Sequence, residues 1–196
     1  MDNLFLAKRA ISDLLAATSS VSRVSLGDVG GMLELASGLY QNDGGFNHTL
    51  IMAVQYHIGQ VDKAGEPYIL HVLRVALAQR DHLRRQIGLL HDVLEDCQIT
   101  TGELRMRGVD CRVLASVESL TRLPGEDYLG SYIPRILVDP LAPEVKLADL
   151  DDNLRLLRLP YLSDDSWIRR ARKHHAAHRM IRDHIDARPA DKDRGK

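Results

Sequence analysis

The stretch GLLHDVLEDC, residues 88–97, places one histidine and three carboxylates in a single short run: His91, Asp92, Glu95 and Asp96. On a helix, residues three and four apart share a face, so His91 would stand beside Glu95 and Asp92 beside Asp96. Leu89, Leu90, Val93 and Leu94 supply the apolar side. Carboxylates this close repel one another unless positive charge lies against them. A metal ion is the economical source of that charge, and an adjacent His-Asp pair can ligate one ion where a helix end faces a cavity. An isolated acidic turn is ordinarily just a solvated face. Two further candidate ligands weigh on the other side: His71 in PYILHVLRVA and Asp149 in EVKLADLDDN, both set among apolar neighbours. A carboxylate on a core-facing helix needs a strong reason to be there.

The elements that must position these residues read as helices. LFLAKRAISDLLAA repeats apolar residues every three and four, and DVGGMLELASGLY is a weaker helix, because Gly30 and Gly31 lower its propensity. QNDGG at 41–45 reads as a loop. The spacing then predicts helices over 48–60, 68–80 and 83–97, with VDKAGEP as a loop broken by Gly65 and Pro67. Thr100 and Glu103 form a capping-box pattern before a short helix. Residues 111–123 follow as a helix, then a turn at PGED, then a helical stretch disturbed by Pro134. Residues 142–160 are helical up to Pro160, 164–187 form a long basic helix, and 188–196 are a polar tail. No strand pattern and no repeat emerge. The expected class is all-α, with 1–45 as an N-terminal helical extension and 46–187 as the main domain.

Composition narrows the function classes. The 196 residues allow one sizeable core, and 44% are hydrophobic. The 26 basic and 27 acidic side chains nearly cancel, so nothing points to nucleic acid as a partner, although a small phosphorylated ligand needs only local positive charge. The two cysteines, Cys97 and Cys111, fit neither a metal spacing nor a disulfide framework, and a reducing cytoplasm is the simpler setting. Charges interrupt the N-terminal apolar run as they would not in a signal peptide. No uncharged apolar run approaches the roughly 20 residues of a membrane helix.

The order His, then His-Asp, then Asp resembles the signature of the HD-domain phosphohydrolases. Four ordered blocks sharpen the likeness: HIGQVDKAGEPYILHVLRVA, LLHDVLEDCQIT, SLTRLPGEDY and VKLADLDDNLR. Together, over about residues 47–160, they resemble the hydrolase domain of RelA/SpoT proteins and the small stand-alone alarmone hydrolases. The resemblance implies an HD-domain helical bundle that removes the 3′-diphosphate from guanosine tetra- and pentaphosphate. It implies His71, His91, Asp92 and Asp149 as metal ligands, and Glu95 and Asp96 as the catalytic pair that orients and activates water. Lys63, Lys146 and Asn153 match substrate-contacting positions, and Arg122 stands where the family has a lysine. The metal implied is manganese. A set of two imidazoles and two carboxylates independently suits Mn²⁺, with Fe²⁺ or another divalent ion as alternatives. The remaining length implies a stand-alone hydrolase without a synthetase domain.

Departures from the family pattern bear on substrate choice. Asp62 stands where many relatives carry an arginine against the guanine base. Val72 replaces a proline, and LDD at 150–152 replaces RLH, adding Asp151 and Asp152 as negative charge beside the expected pocket. An adenine-containing alarmone or the 2′-phosphate of NADPH is therefore a second substrate reading, and a catalytically inactive regulatory module a third. His174 and His178 read as a solvated helix face, Trp167 as an anchor to the core, and Cys97 as an unreactive thiol. His57 reads either as orienting the site or as packing. The first 45 residues either cover the core or mediate self-association into a homo-oligomer.

Overall fold

The computed structural model describes residues 44–63, 65–156 and 165–188. The expected helices before residue 44, the stop at Pro160 and the tail beyond Arg188 lie outside the described residues. Within them the chain is helical, as the apolar spacing predicts. The elements are α1 (Gly44–Tyr56), α2 (Tyr68–Leu77), α3 (His82–Leu90), α4 (Val93–Asp96), α5 (Thr101–Met106), α6 (Cys111–Leu120), a π-helical turn (Tyr128–Tyr132), α7 (Ile133–Leu137), α8 (Ala142–Leu156) and α9 (Asp165–Asp186). The described residues contain no strand, only an isolated antiparallel bridge between Val61 and Pro67 that closes the α1–α2 loop.

The core is aliphatic. Ile69, Val72, Leu73 and Ala76 of α2 meet Ile87, Leu89 and Leu90 of α3, with Ala53 of α1, Val113 and Val117 of α6 and Val145 of α8 around them. α2 and α3 approach each other closely at Gly88 and Ala76. A Cβ added to Gly88 would lie 2.8 Å from the Ala76 Cα, so only glycine fits there. That closeness draws the end of α3, and with it His91, against α2.

Three local readings are corrected. Gly44 and Gly45 open α1 rather than lying in a loop. The expected helix 83–97 divides: α3 ends at Leu90, His91 and Asp92 form a turn, and α4 follows. Asp92 has φ −103° and ψ −3°, off the helical values, and this rotates the His-Asp pair out of the regular progression. Pro134 does not break its helix. It lies in the first turn of α7, where a missing N–H costs nothing, and the irregularity precedes it as the π turn. The capping box is present, with Thr100 accepting from the Glu103 N–H and the Glu103 carboxylate accepting from the Thr100 N–H at 2.8 Å.

Candidate metal centre

α2, the α3–α4 turn and α8 each bring a ligand-type side chain to one place. One ligand atom each from His71, His91 and Asp92 lies within 4.8 Å of the others. His91 Nε2 is 2.9 Å and His71 Nε2 is 3.7 Å from Asp92 Oδ2. Asp149 falls outside that trio but flanks it, with Oδ1 3.4 Å from His71 Nε2 and 3.9 Å from His91 Nε2. Both histidines are buried at 2% exposure, Asp149 at 4%.

The ring orientations are fixed from behind. His91 Nδ1 donates to the Gly88 carbonyl at 2.8 Å, and His71 Nδ1 donates to Asp152 Oδ2 at 2.8 Å. Each acceptor lacks a proton to give, so each ring carries its hydrogen on Nδ1 and turns Nε2 inward. Both Nε2 atoms are buried and make no hydrogen bond, although carboxylate oxygens stand close by. Buried polar atoms are ordinarily satisfied, so two unsatisfied imidazole nitrogens facing the same carboxylate fit a divalent cation.

The electrostatics agree. Burial opposes charge on His71, yet Asp149, Asp152 and Asp92 together hold its pKa well above the ordinary histidine value. Burial likewise opposes charge on His91, and Asp92 overcomes it. Against the same burial penalty, Asp92 is held well below the usual carboxylate range by His91 and His71. Asp149 is held low by Lys146 and His71. A site that favours positive charge this strongly on two buried imidazoles would favour a metal cation for the same reason.

Around the centre stand the other expected residues. Glu95 and Asp96 reach solvent beside it, and both carboxyls are pushed up in pKa, by burial first and then by repulsion from Asp92; Glu95 also has the opposing Arg122 N–H bond. That N–H donates to Glu95 Oε1 at 2.5 Å and fixes the carboxylate. Lys146 pairs with Asp149 Oδ2 at 2.8 Å, and Asn153 donates to Asp149 Oδ1, so both organise that carboxylate. The Arg122 guanidinium turns to the Glu126 carbonyl and lies 5.8 Å from the Tyr128 ring. Lys63 is placed otherwise, 5.2 Å over the Trp167 ring. Asp62 caps its own loop, accepting from the Glu66 N–H at 2.9 Å.

Several contributors were not singled out from sequence. Tyr68 donates to Asp92 Oδ2 at 2.5 Å, and its ring lies 5.2 Å from those of both His57 and His71. It is three residues before His71 on α2, and that spacing is the signal that would have found it. His57 thus packs behind the tyrosine that holds Asp92. On α9, Lys173 lies 4.4 Å over Tyr128, and burial with Arg122, Arg170 and Lys146 pushes its pKa down. These four cations and Tyr128 form a positive wall.

Two readings of single residues change. Asp152 is not loose negative charge; it is buried and paired with Arg74. His174 is half-buried against Tyr128 rather than solvated, and His178 pairs with Asp151 at 3.0 Å. Trp167 is half-buried and carries Lys63 and Arg170 on its ring.

No protein-family model matches the chain. Individual proteins do. The chain is 34% identical over 134 residues to a GTP pyrophosphokinase of Streptomyces coelicolor, covering 62% of this chain and 16% of that protein. It is 37% identical over 116 residues to a guanosine-3′,5′-bis(diphosphate) 3′-pyrophosphohydrolase of Aquifex aeolicus, 54% of this chain and 16% of that one. A Vibrio cholerae protein of the same name is 45% identical over 120 residues, 55% of this chain and 17% of that one. The matched span is thus about a sixth of each relative. Among solved structures, a metazoan ortholog of SpoT that hydrolyzes ppGpp superposes with a TM-score of 0.59 at 23% identity, covering 75% of this chain and 88% of that one. That likeness shows the fold. The sequence likenesses bear out the motif reading at the level of a RelA/SpoT hydrolase-type domain.

Proposed function

We propose that this chain is a cytoplasmic, metal-dependent phosphohydrolase that removes the 3′-diphosphate from guanosine tetra- and pentaphosphate. His71, His91, Asp92 and Asp149 would hold the metal, with manganese the first candidate and iron(II) the second. The observation that carries this is the pair of buried, unpartnered Nε2 atoms facing Asp92. The names of the Aquifex and Vibrio relatives support the substrate.

When bound, such an ion supplies Lewis-acid charge to a phosphate oxygen and lowers the pKa of water. The chain's own residues do the rest. Burial first, and repulsion from Asp92, raise the Glu95 and Asp96 carboxyls in pKa, which makes them better proton acceptors, and they would take the proton of an attacking water. Water adds to the phosphorus on the 3′ oxygen, the bond between that phosphorus and the 3′ oxygen breaks, and the nucleoside keeps a 3′-hydroxyl. Lys146, Arg122, Arg170 and Lys173 offset the charge gathering on the departing diphosphate. Tyr68 and Lys146 keep the Asp92 and Asp149 carboxylates in place throughout.

Asp62 supports a second reading. Its carboxylate closes the 62–66 loop through the Glu66 N–H, at the position where relatives offer an arginine to guanine. A nucleotide with another base, such as ppApp or NADPH, is therefore the competing substrate. The test is a panel of ppGpp, ppApp and NADPH with Mn²⁺, run beside Asp92→Ala. Diphosphate released from ppGpp by the parent and not by the variant supports the proposal. Turnover confined to another nucleotide transfers it to the second reading. Equal turnover by Asp92→Ala rejects the site.

A further inference from the structure

Four residues form a closed frame between α2 and α8. His71 and Arg74 are three apart on α2, and Asp149 and Asp152 are three apart on α8, so each pair shares a helix face. The α8 carboxylates meet the two edges of one imidazole. Asp149 Oδ1 stands 3.4 Å from His71 Nε2, and Asp152 Oδ2 accepts from Nδ1 at 2.8 Å. Arg74 closes the frame with Nε 2.6 Å from Asp152 Oδ1 and Nη2 2.9 Å from Oδ2. Glu66 lies 3.7 Å from Arg74 Nη1 on the outer side.

The frame accounts for a carboxylate at 6% exposure. A buried charge is tolerated when it is paired and its oxygens are satisfied. Here Oδ1 takes one guanidinium N–H, and Oδ2 takes a second together with the imidazole N–H. The two-point guanidinium contact also fixes the carboxylate plane, which a single point charge could not do. Asp152 is thus held still while it holds His71.

We propose that Asp152, clamped by Arg74, is a positioning residue for His71: it keeps the imidazole hydrogen on Nδ1, stops the ring from turning, and so presents Nε2 to the metal. The carboxylate behind the ring also makes Nε2 a stronger donor. A hydrogen bond of this kind behind a metal-bound histidine typically contributes about 10–100-fold to metal affinity. The inference rests on the metal centre proposed above and adds a residue to it. The competing explanation is that Arg74 and Asp152 merely staple α2 to α8.

Mn²⁺ affinity of the full chain separates the two, read from the electron paramagnetic resonance signal of free Mn²⁺. Asp152→Ala is expected to weaken Mn²⁺ binding about 10–100-fold. Asp152→Asn is the second variant, nearly isosteric, and its carbonyl can still accept from Nδ1; it is expected to lose less than alanine. Nitrogen-15 spectra of labelled histidine in the metal-free protein give a readout that a staple would not move. At a pH high enough to leave the ring neutral, the parent is expected to show His71 protonated at Nδ1, and Asp152→Ala to shift toward Nε2. Folded variants that bind Mn²⁺ as the parent does, with the His71 signals unchanged, overturn the inference alone. A parent that binds no Mn²⁺ overturns the metal centre and this inference with it.

Discussion

Replacing Gly88 by alanine would separate the two helices of the metal centre without removing a polar atom. The added Cβ would meet the Ala76 Cα at 2.8 Å, its N at 3.0 Å and its Cβ at 3.3 Å. Unstrained carbon contacts lie at about 3.5–4.0 Å, so the helices must part by on the order of 0.7 Å. Overpacking of this sort costs about 1–3 kcal/mol, while exchanging glycine for alanine inside a helix returns about 1 kcal/mol. The net loss of stability is therefore modest, about 0–2 kcal/mol. The effect on the site is larger. His91 follows Gly88 by one turn and hydrogen-bonds to its carbonyl, so the displacement carries to Nε2. Workable ligand distances span only about ±0.2 Å, and Mn²⁺ affinity is expected to fall by at least about tenfold. Calorimetric Mn²⁺ titration beside a thermal melt checks both halves. A folded Gly88→Ala variant with parental Mn²⁺ affinity would refute the claim that this close approach sets the His71–His91 geometry.

Tyr68→Phe removes the hydrogen bond to Asp92 Oδ2 and leaves the ring packing. A hydrogen bond to a charged group is worth about 1.5–3 kcal/mol, so the melting temperature is expected to fall and hydrolysis to slow about tenfold or more, measured by melts and steady-state rates. Thr100→Ala deletes the N-cap of α5, remote from the ligands, and is expected to cost about 1 kcal/mol in urea unfolding while Mn²⁺ affinity stays parental. His174 has its pKa pushed down to about 4 from 6.5, by burial first and then by Lys146, Lys173 and Arg170 against the opposing Asp149. The unfolded chain then takes up this proton before the folded chain does, so stability conferred by neutral His174 is full above pH 6.5 and is lost as pH falls toward 4. Urea midpoints across that window should flatten in His174→Phe, and a slope unchanged by the substitution would assign it to other groups.

The helical class is legible because it rests on local spacing, and the trio His71, His91 and Asp92 is legible through the resemblance of its motif blocks to the HD-domain phosphohydrolases. Apolar residues three and four apart mark the buried faces of α2, α3 and α6, and the Thr100–Glu103 box is a local hydrogen-bond pattern. The break at His91–Asp92 was not legible. That stretch keeps helical periodicity through Leu89, Leu90, Val93 and Leu94, while in the fold His91 bonds back to the Gly88 carbonyl and Asp92 takes a tertiary partner, Tyr68, 24 positions away. From charge alone Asp152 reads as a liability beside the pocket. Its guanidinium partner is 78 positions away in sequence, and pairings at that separation leave no periodic trace. The positive wall was only half visible for the same reason. Lys146 and Arg122 lie in the motif blocks, whereas Arg170 and Lys173 lie on a helix whose basic residues look solvated until it packs across Tyr128.

Metal-dependent hydrolysis at this centre is tested most directly by diphosphate release from ppGpp, using protein stripped of metal and then reloaded with Mn²⁺. The stripped protein is expected to be inactive and the reloaded protein active, with Asp92→Ala inactive in both states. Hydrolysis that persists after stripping, or that survives in Asp92→Ala, would contradict a metal-dependent site at His71, His91, Asp92 and Asp149.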